Sequence, residues 1–300
     1  MDVLSDILKS SRLNANVFLH SSFCGSWAVD TSGSQQATFH VVARGACWLH
    51  LPDLADPEPL RAGDLVVFPR DAPHVISDSA TPPGPEVPRN QPAESDAVGA
   101  SVSLICGYFE FGENRWNPLL DAMPTFLVIR NETTSDTGHM NSLINFMIYE
   151  AETNKEGSDV VIDRLSDVLF IHVVRTYINQ YQPNKGFIAA LSDKKLGLSL
   201  TAFHQQPGDN WSVERLAKLA GMSRSSFADR FHNVTEQTPM QYITQWRMQK
   251  AYDLLSTSGL STQQIAEQSG YQSEASFSKV FKKYFSKGPG AVRRGLVDRK

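Results

Sequence analysis

Two cysteines and two histidines are the side chains of the N-terminal half that are best suited to metal or redox chemistry: Cys24, His40, His74 and Cys106. Two thiolates and two imidazoles are the ligand set that a tetrahedral zinc ion favours. Two other interpretations stay open. The thiols sense an oxidant without a metal, or the four side chains only pack in a core. Cys47 has no comparable partner and is assigned a structural role.

Residues so far apart in sequence meet only where short strands bring them together. From about residue 17 to residue 111, short apolar runs are separated by Gly, Pro and Asp, which is typical of an antiparallel barrel or sandwich. After Met123 the apolar spacing becomes helical, and residues 159–180 have nearly two apolar faces. This surplus indicates either burial against the barrel and neighbouring helices, or a dimer formed through the helices of residues 136–181.

A second group of residues lies in the C-terminal part, where the sequence repeats itself at an offset of 49 to 50 residues. SVERLAKLAGMSRSSFADRF (212–231) aligns with STQQIAEQSGYQSEASFSKVF (261–281). Each copy predicts a Ser-capped helix, a turn at Gly221 or Gly270, and a second capped helix anchored by two Phe residues four positions apart. This pattern predicts two helix-turn-helix units.

The face of each second helix that lies opposite the Phe residues carries short polar and basic side chains. Such side chains suit base edges in a major groove, with Lys and Arg on the flanking phosphates. A solvated helix face has a similar composition, but duplication of the whole unit favours DNA. The predicted DNA-binding residues are Arg224, Ser225, Ser226, Asp229 and Arg230 in the first unit, and Ser273, Glu274, Ser276, Lys279, Lys282 and Lys283 in the second.

The segment between the units, residues 238–258, predicts a helix of about five turns. As a rigid spacer it would hold the two recognition helices one DNA turn apart, roughly 34 Å, on one face of the duplex.

Charge divides the chain near the same place. Residues 1–186 contain 12 Lys and Arg against 23 Asp and Glu, whereas residues 187–300 contain 16 against 9. We therefore predict a sensor and dimerisation domain over 1–186 and a basic, all-α DNA-binding domain over 187–300, in an α+β chain of two domains. Three cysteines, no signal-peptide pattern and no apolar run of membrane-spanning length predict a cytoplasmic protein.

The C-terminal part resembles the AraC/XylS regulators over about residues 187–295. The resemblance is carried by WSVERLAKLAGMS, SFADRF, TPMQYI, RMQKA, IAEQSGYQSEASFSKVFKK and GPGAVRR. The sequence departs from the family pattern at Ser286, Gly288 and Val292, which affects only the geometry of the last turn. The resemblance implies two helix-turn-helix units joined by a linker helix, with double-stranded promoter DNA and RNA polymerase as partners.

The segment GDLVVFPRDAPH (63–74) resembles the second cupin motif, with Asp71 where its second Gly would stand. His40, in TFHVVARG, lies on what would be the facing motif, although the usual His-x-His pair and its Glu are absent. This resemblance implies a cupin-like β-barrel with both histidines inside, where many relatives bind a metal. A branch of these regulators uses similarly placed Cys and His residues in redox responses, which implies oxidation of Cys24 or Cys106 as the input.

We therefore predict a homodimeric, sequence-specific DNA-binding transcription regulator, not an enzyme. A ligand, a metal such as zinc, or a redox signal at the cupin domain would control it. The alternative is a metal-dependent cupin enzyme fused to a DNA-binding domain, although iron sites of that class favour two His and one carboxylate. A third possibility is a metal-free small-molecule pocket lined by Trp27, Phe39 and Trp48.

Overall fold

The computed structural model describes residues 3–10, 13–92, 102–111, 117–131 and 138–297. Contacts divide the chain into two compact units. The sheet unit comprises Leu13–Glu110 and Met123–Tyr181, and the helical unit comprises Met1–Arg12, Phe111–Ala122 and Gln182–Lys300. The domain boundary expected after residue 186 stays a prediction.

The described part of the sheet unit forms two antiparallel sheets. Its strands are β1 (Asn14–Phe23), β2 (Ala28–Val29), β3 (Ala37–Arg44), β4 (Ala46–His50), β5 (Glu58–Arg61), β6 (Leu65–Phe68), β7 (Val75–Ser77), β8 (Val102–Glu110) and β9 (Leu127–Ile129). One sheet has the order β1-β8-β3-β6-β9 and the other the order β2-β7-β4-β5. Within the described residues no ladder joins the two sheets, so a closed barrel is not shown.

The core of the sheet unit draws residues from both sheets. Phe23, Val42, Phe68 and Leu104 of the larger sheet pack in one cluster with Leu49 of the smaller sheet. The central strands β3 and β8 are buried over six consecutive residues each. Because successive side chains of a strand point to opposite faces, both faces of these two strands are covered.

Two helices follow the strands of the sheet unit: α3 (Gly138–Thr153) and α4 (Ser158–Thr176), the latter continued by a π-helical turn over Tyr177–Tyr181. The buried face of α4 contains Ile162, Leu169, Phe170 and Val173. Val168 of the same helix is 42% exposed. Packing thus uses one of the two apolar faces of α4 and leaves part of the other at the surface.

Helix α4 also covers the outer edge of β1. The backbone N–H of Ala15 donates to Asp167 Oδ1 at 2.7 Å, and that of Val17 donates to Asp163 Oδ1 at 2.9 Å. The two aspartates are one helical turn apart, and the two amides are two residues apart on one side of the strand. An edge strand exposes a row of unpaired N–H groups. In β1, two of these N–H groups donate to the carboxylates of α4.

The described part of the helical unit contains α1 (Val3–Ser10), α2 (Pro118–Asp121), α5 (Gly186–Ser192), α6 (Leu196–Gln205), α7 (Val213–Leu219), α8 (Arg224–Thr235), α9 (Pro239–Thr257), α10 (Thr262–Gln268), α11 (Glu274–Phe285) and α12 (Pro289–Val297). The expected all-α C-terminal part is therefore confirmed. None of the helices in the described ranges is both long and apolar enough to cross a membrane.

Candidate nucleic-acid interface and buried histidine pair

The first helix-turn-helix unit consists of α7 and α8. Ser212 caps α7 by accepting the N–H of Arg215, and Ser223 caps α8 by accepting the N–H of Ser226. The turn between them contains Gly221 with φ +62°, in the left-handed region that glycine occupies at least cost. Phe227 and Phe231 of α8 are buried. The opposite face of α8 is therefore held at the surface.

The second unit, α10 and α11, has the same construction. Ser261 caps α10 in a capping box with Gln264, and Ser273 caps α11 by accepting the N–H of Ser276. Gly270 in the turn has φ +78°. Phe277 and Phe281 are fully buried against α9 and α10 residues such as Met248 and Ile265. The local sequence signals therefore predicted both units correctly.

All eleven predicted DNA-binding side chains are exposed. Several of them are also engaged within the helical unit. Arg224 forms an ion pair with Glu214 of α7 at 2.5 Å, and Arg230 donates to Asp193 through Nε at 2.8 Å and Nη2 at 2.5 Å. Ser273 uses its hydroxyl to cap α11. Lys279, Lys282 and Lys283 provide three exposed positive charges along α11.

Helix α9 lies between the two units in sequence. It begins with a capping box at Thr238 and Gln241 and runs for 19 residues, or about 28 Å at 1.5 Å per residue. In its first half, Tyr242, Ile243 and Trp246 are buried. In its second half, Met248, Ala251 and Leu255 belong to the core of the second unit. The helix is thus packed along its length, as expected of a stiff spacer.

In the sheet unit, His40 and His74 meet in the interior. Their Nε2 atoms are 2.9 Å apart, and Thr31 Oγ1 lies 3.2 Å from His40 Nε2 and 3.1 Å from His74 Nε2. His74 Nδ1 donates to the carbonyl of Ala72 at 2.7 Å, which leaves a lone pair on its Nε2. His40 Nδ1 is buried and lacks a hydrogen-bond partner in the described structure.

Burial lowers the pKa of both histidines, and for His40 the neighbouring His74 lowers it further. Both rings are therefore neutral near pH 7. Neutral imidazole is the form that binds a metal ion. The stacked ring of Phe68, with its centroid 3.7 Å from that of His74, shields this pair on one side.

The three cysteines have different surroundings. Cys106 of β8 lies opposite His40 of β3 in the ladder and is fully buried. Burial, and then the nearby Cys47, raises the pKa of the Cys106 thiol far above its ordinary value. Burial, with a smaller effect of Asp64, raises the pKa of Cys47 to about 12. Cys24 follows the end of β1 and is half-buried.

The structure therefore brings together only part of the expected four-residue site. His40 and His74 are in hydrogen-bonding distance, and Cys106 is the neighbour of His40 across the ladder. In the ranges that the structure describes, no three His, Cys, Asp or Glu residues are grouped so as to hold a metal ion. Cys106 packs among the apolar residues between the two sheets.

Cys47, which was expected to have no comparable partner, lies near another cysteine. It lies on β4 in the smaller sheet, in the same core cluster as Cys106 of the larger sheet. Sequence reasoning missed this relation because the two strands belong to facing sheets and share no ladder. The only available signal was the apolar alternation that places both residues inside.

Comparison with known proteins agrees with this architecture. Residues 2–179 match the model of a cupin family, and residues 216–295 match that of a helix-turn-helix domain. An uncharacterised HTH-type transcriptional regulator of Haemophilus influenzae is 32% identical over 99% of both chains. The HTH-type transcriptional regulator AlkR of Acinetobacter baylyi is 31% identical over 98% of this chain and 99% of its own.

The chain belongs to the AraC family of DNA-binding transcription regulators. Among solved structures, this AraC-family regulator is similar to the DNA-binding domain of AdpA in complex with a target DNA. The identity is 29%, the match covers 36% of this chain and 96% of the other, and the TM-score is 0.34. The predicted function as a DNA-binding transcription regulator with a cupin domain is confirmed.

Proposed function

We propose that α8 and α11 are the two DNA-reading helices and that they enter successive major grooves on one face of a promoter. The observation that carries this proposal is the repeated, Ser-capped recognition helix at either side of one continuous 19-residue helix. Two recognition helices that bind one face of B-DNA must lie about one turn of the double helix apart, roughly 34 Å.

The exposed residues divide by chemistry into two roles. Side chains of the first turns reach base edges: Arg224, Ser225, Ser226 and Asp229 on α8, and Glu274, Ser276 and Lys279 on α11. Lys282 and Lys283, in the last turn of α11, contact phosphates. For Arg230 and Ser273, which were predicted to contact DNA, we propose a positioning role, because Arg230 Nε and Nη2 donate to Asp193 and the Ser273 hydroxyl accepts the N–H of Ser276.

The test begins with selection of duplexes from a random-sequence pool by the full-length protein, followed by binding measurements on the selected duplex. Lys279→Met is expected to cost about 1–3 kcal/mol and to relax the preference at one base pair. Lys282→Met is expected to weaken binding to all sequences and to reduce the slope of log affinity against log salt by about one.

The control is Lys155→Met, which removes one exposed positive charge from the sheet unit and should leave DNA binding unchanged. Selection of no sequence by the wild-type protein, or an affinity that is constant between 50 and 200 mM salt, would refute DNA reading by these helices.

The signal that we propose for the sheet unit is a transition-metal ion of the zinc type, bound at His40 and His74. Tetrahedral ligands about 2.0–2.1 Å from zinc are about 3.3 Å from one another. The separations among His40 Nε2, His74 Nε2 and Thr31 Oγ1, 2.9 to 3.2 Å, are close to that value. The unpartnered Nδ1 of His40 also fits a ring that rotates when it binds an ion.

In this proposal Cys24 and Cys106 are the remaining ligands, which requires local rearrangement. Metal coordination would deprotonate the Cys106 thiol despite its raised pKa. A metal-free oxidant sensor is the second candidate. The half-buried Cys24 favours it, but the buried Cys106 opposes it because only a thiolate reacts readily. Both relatives described above are transcription regulators, which supports a sensory rather than an enzymatic role for the sheet unit.

Metal analysis after purification separates these candidates. We expect about one zinc per chain in the wild-type protein, loss of zinc in His40→Asn and His74→Asn, and retention in the control His139→Asn, which changes an exposed residue of α3. Promoter binding that responds to peroxide in a zinc-free protein would instead support the thiol sensor.

Exposed apolar side chains on α3 and α4 support dimerisation through this pair of helices. Phe146 and Tyr149 of α3 are 47% and 49% exposed, and Val160 and Val168 of α4 are 62% and 42% exposed. Burial of such side chains between two copies would be favourable. Phe146→Ser should convert a dimer to a monomer in light scattering, whereas a wild-type protein that is monomeric would contradict this assignment.

A further inference from the structure

One arginine of α9 connects the linker helix to the loop that precedes the first helix-turn-helix unit. Arg247 Nε donates to the carbonyl of Pro207 at 2.7 Å, and its Nη2 donates to the carbonyl of Asp209 at 2.5 Å. The side chain is half-buried. A guanidinium with two fixed backbone acceptors has little rotational freedom. It therefore fixes the loop against the middle of α9.

The same loop is held firmly from its other end. Trp211 Nε1 donates to the carbonyl of Gln206 at 2.8 Å. Arg215 of α7 donates to the carbonyl of Asn210 at 3.1 Å and to Asp209 Oδ2 at 2.8 Å, and its guanidinium stacks over Trp211 at 4.0 Å. The loop of residues 206–211 therefore moves with the first unit as one body.

This loop also contacts the turn of the second unit, backbone against backbone. A Cβ atom added at Gly208 would lie 2.5 Å from the carbonyl oxygen of Gln268, and one added at Gly270 would lie 2.6 Å from the carbonyl oxygen of Gly208. These distances leave no room for a methyl group. An added Cβ at Gly270 would also approach Arg247 Nη2 at 2.8 Å. First unit, linker helix and second unit thus meet at Arg247.

From this junction we infer that Arg247, with the Gly208–Gly270 contact, sets the distance and rotation between the two DNA-reading helices and so determines the base-pair spacing that the protein accepts. The inference rests on the proposed reading of DNA by α8 and α11. A helix joined to each unit only by its ends would leave each unit able to pivot. The junction adds a second connection between the units, and two connections prevent pivoting.

Arg247 is a positioning residue, and its test measures spacing rather than affinity alone. The selected duplex is compared with the same duplex carrying one additional base pair between its two half-sites. The insertion rotates the second half-site by about 35° and moves it by about 3.4 Å. The readout is the ratio of the two dissociation constants. General weakening of the fold changes both constants alike and cancels in this ratio.

We expect the wild-type protein to bind the lengthened duplex about 100-fold more weakly, as it would after loss of most contacts at one half-site. In Arg247→Met the ratio should fall to within about tenfold, because the second unit can adjust. Lys250→Met, which removes a cation one turn along α9, is the matched control and should keep the wild-type ratio.

Gly208→Ala provides an independent variant, because φ at Gly208 is not in the left-handed region and the added methyl acts only on the junction. It should lower the ratio as Arg247→Met does. Gly259→Ala, with open space around the added methyl, should not. An unchanged ratio in both Arg247→Met and Gly208→Ala would overturn the inference. A wild-type protein that selects no two-part site would instead overturn the proposed function on which it rests.

Discussion

Arg230 of the first recognition helix donates through both Nε and Nη2 to a single carboxylate oxygen of Asp193, the C-cap residue of α5. The other oxygen of Asp193 accepts the N–H groups of Lys195 and Leu196 at the start of α6. One carboxylate thus joins α5, α6 and α8. Charge-assisted bonds of this kind are among the strongest that side chains form. The orientation of α8 therefore depends on a residue outside the helix-turn-helix unit.

We predict that Asp193→Asn and Arg230→Met weaken DNA binding to a similar extent. Because both changes break the same contact, the double variant should bind about as well as either single variant, with a coupling of about 0.5–3 kcal/mol. The measurement is a double-mutant cycle of dissociation constants on the selected duplex. If Arg230 contacts DNA instead, Asp193→Asn would leave affinity unchanged or raise it.

The turn glycine Gly221 gives a stability prediction, for which Gly288 is the control. Gly221→Ala places a side chain at φ +62°, although the surrounding space is open. The cost is therefore one of backbone strain, about 1–2 kcal/mol in the free energy of unfolding. Gly288→Ala has open space and no left-handed φ, and should change stability by less than about 0.5 kcal/mol. Denaturant titration monitored by circular dichroism measures both.

His204 gives a prediction about pH. It is buried with its Nε2 2.7 Å from the hydroxyl of Tyr242, and burial, followed by Lys250, lowers its pKa from 6.5 to about 3. Between these values the unfolded chain binds a proton that the native chain does not. His204 therefore makes the free energy of unfolding fall by about 1.4 kcal/mol for each pH unit below 6.5, and contributes no slope above it.

The variant His204→Gln should lack this contribution. Subtracting its free energy of unfolding from that of the wild-type protein should give a difference that is constant above pH 6.5 and declines between pH 6 and pH 5. A difference that is flat over the whole range would show that His204 is protonated in the native protein as readily as in the unfolded chain.

The aspartates that cap β1 provide a further prediction. Asp163→Ala and Asp167→Ala each leave a backbone N–H of β1 without its carboxylate, at a cost of about 1–3 kcal/mol in the free energy of unfolding. Glu156→Ala removes an exposed carboxylate at the loop before α4 and should be nearly neutral. Equal stability of all three variants would mean that water replaces the aspartates without loss.

The repeated units could be read from the sequence because their signals are local. A Ser cap, a turn glycine and two Phe residues four positions apart lie within about 20 residues and specify one helix-turn-helix each. The meeting of His40 and His74 was also foreseen, since the segment ending at His74 resembles a cupin motif. Their separation of 2.9 Å supports that expectation for two of its four residues.

The contacts that could not be foreseen join segments distant in sequence. Asp193 and Arg230 are 37 residues apart, and Arg247 and Pro207 are 40 apart. Neither pair produces a periodic or compositional pattern in the sequence. An exposed arginine in a recognition helix, such as Arg230, is interpreted as a DNA contact whether or not a carboxylate binds it. Cys47 was likewise left without a counterpart, since only the packing of two sheets brings it near Cys106.

The caps on β1 also govern how copies of this protein can meet. A bare edge strand is a template on which a second chain can extend the sheet, the route to domain swapping and fibrous aggregates. With Asp163 and Asp167 holding the amides of Val17 and Ala15, an incoming strand must first displace two charged acceptors. Strand β1, one edge of the larger sheet, is thus protected against pairing with a strand of a second chain.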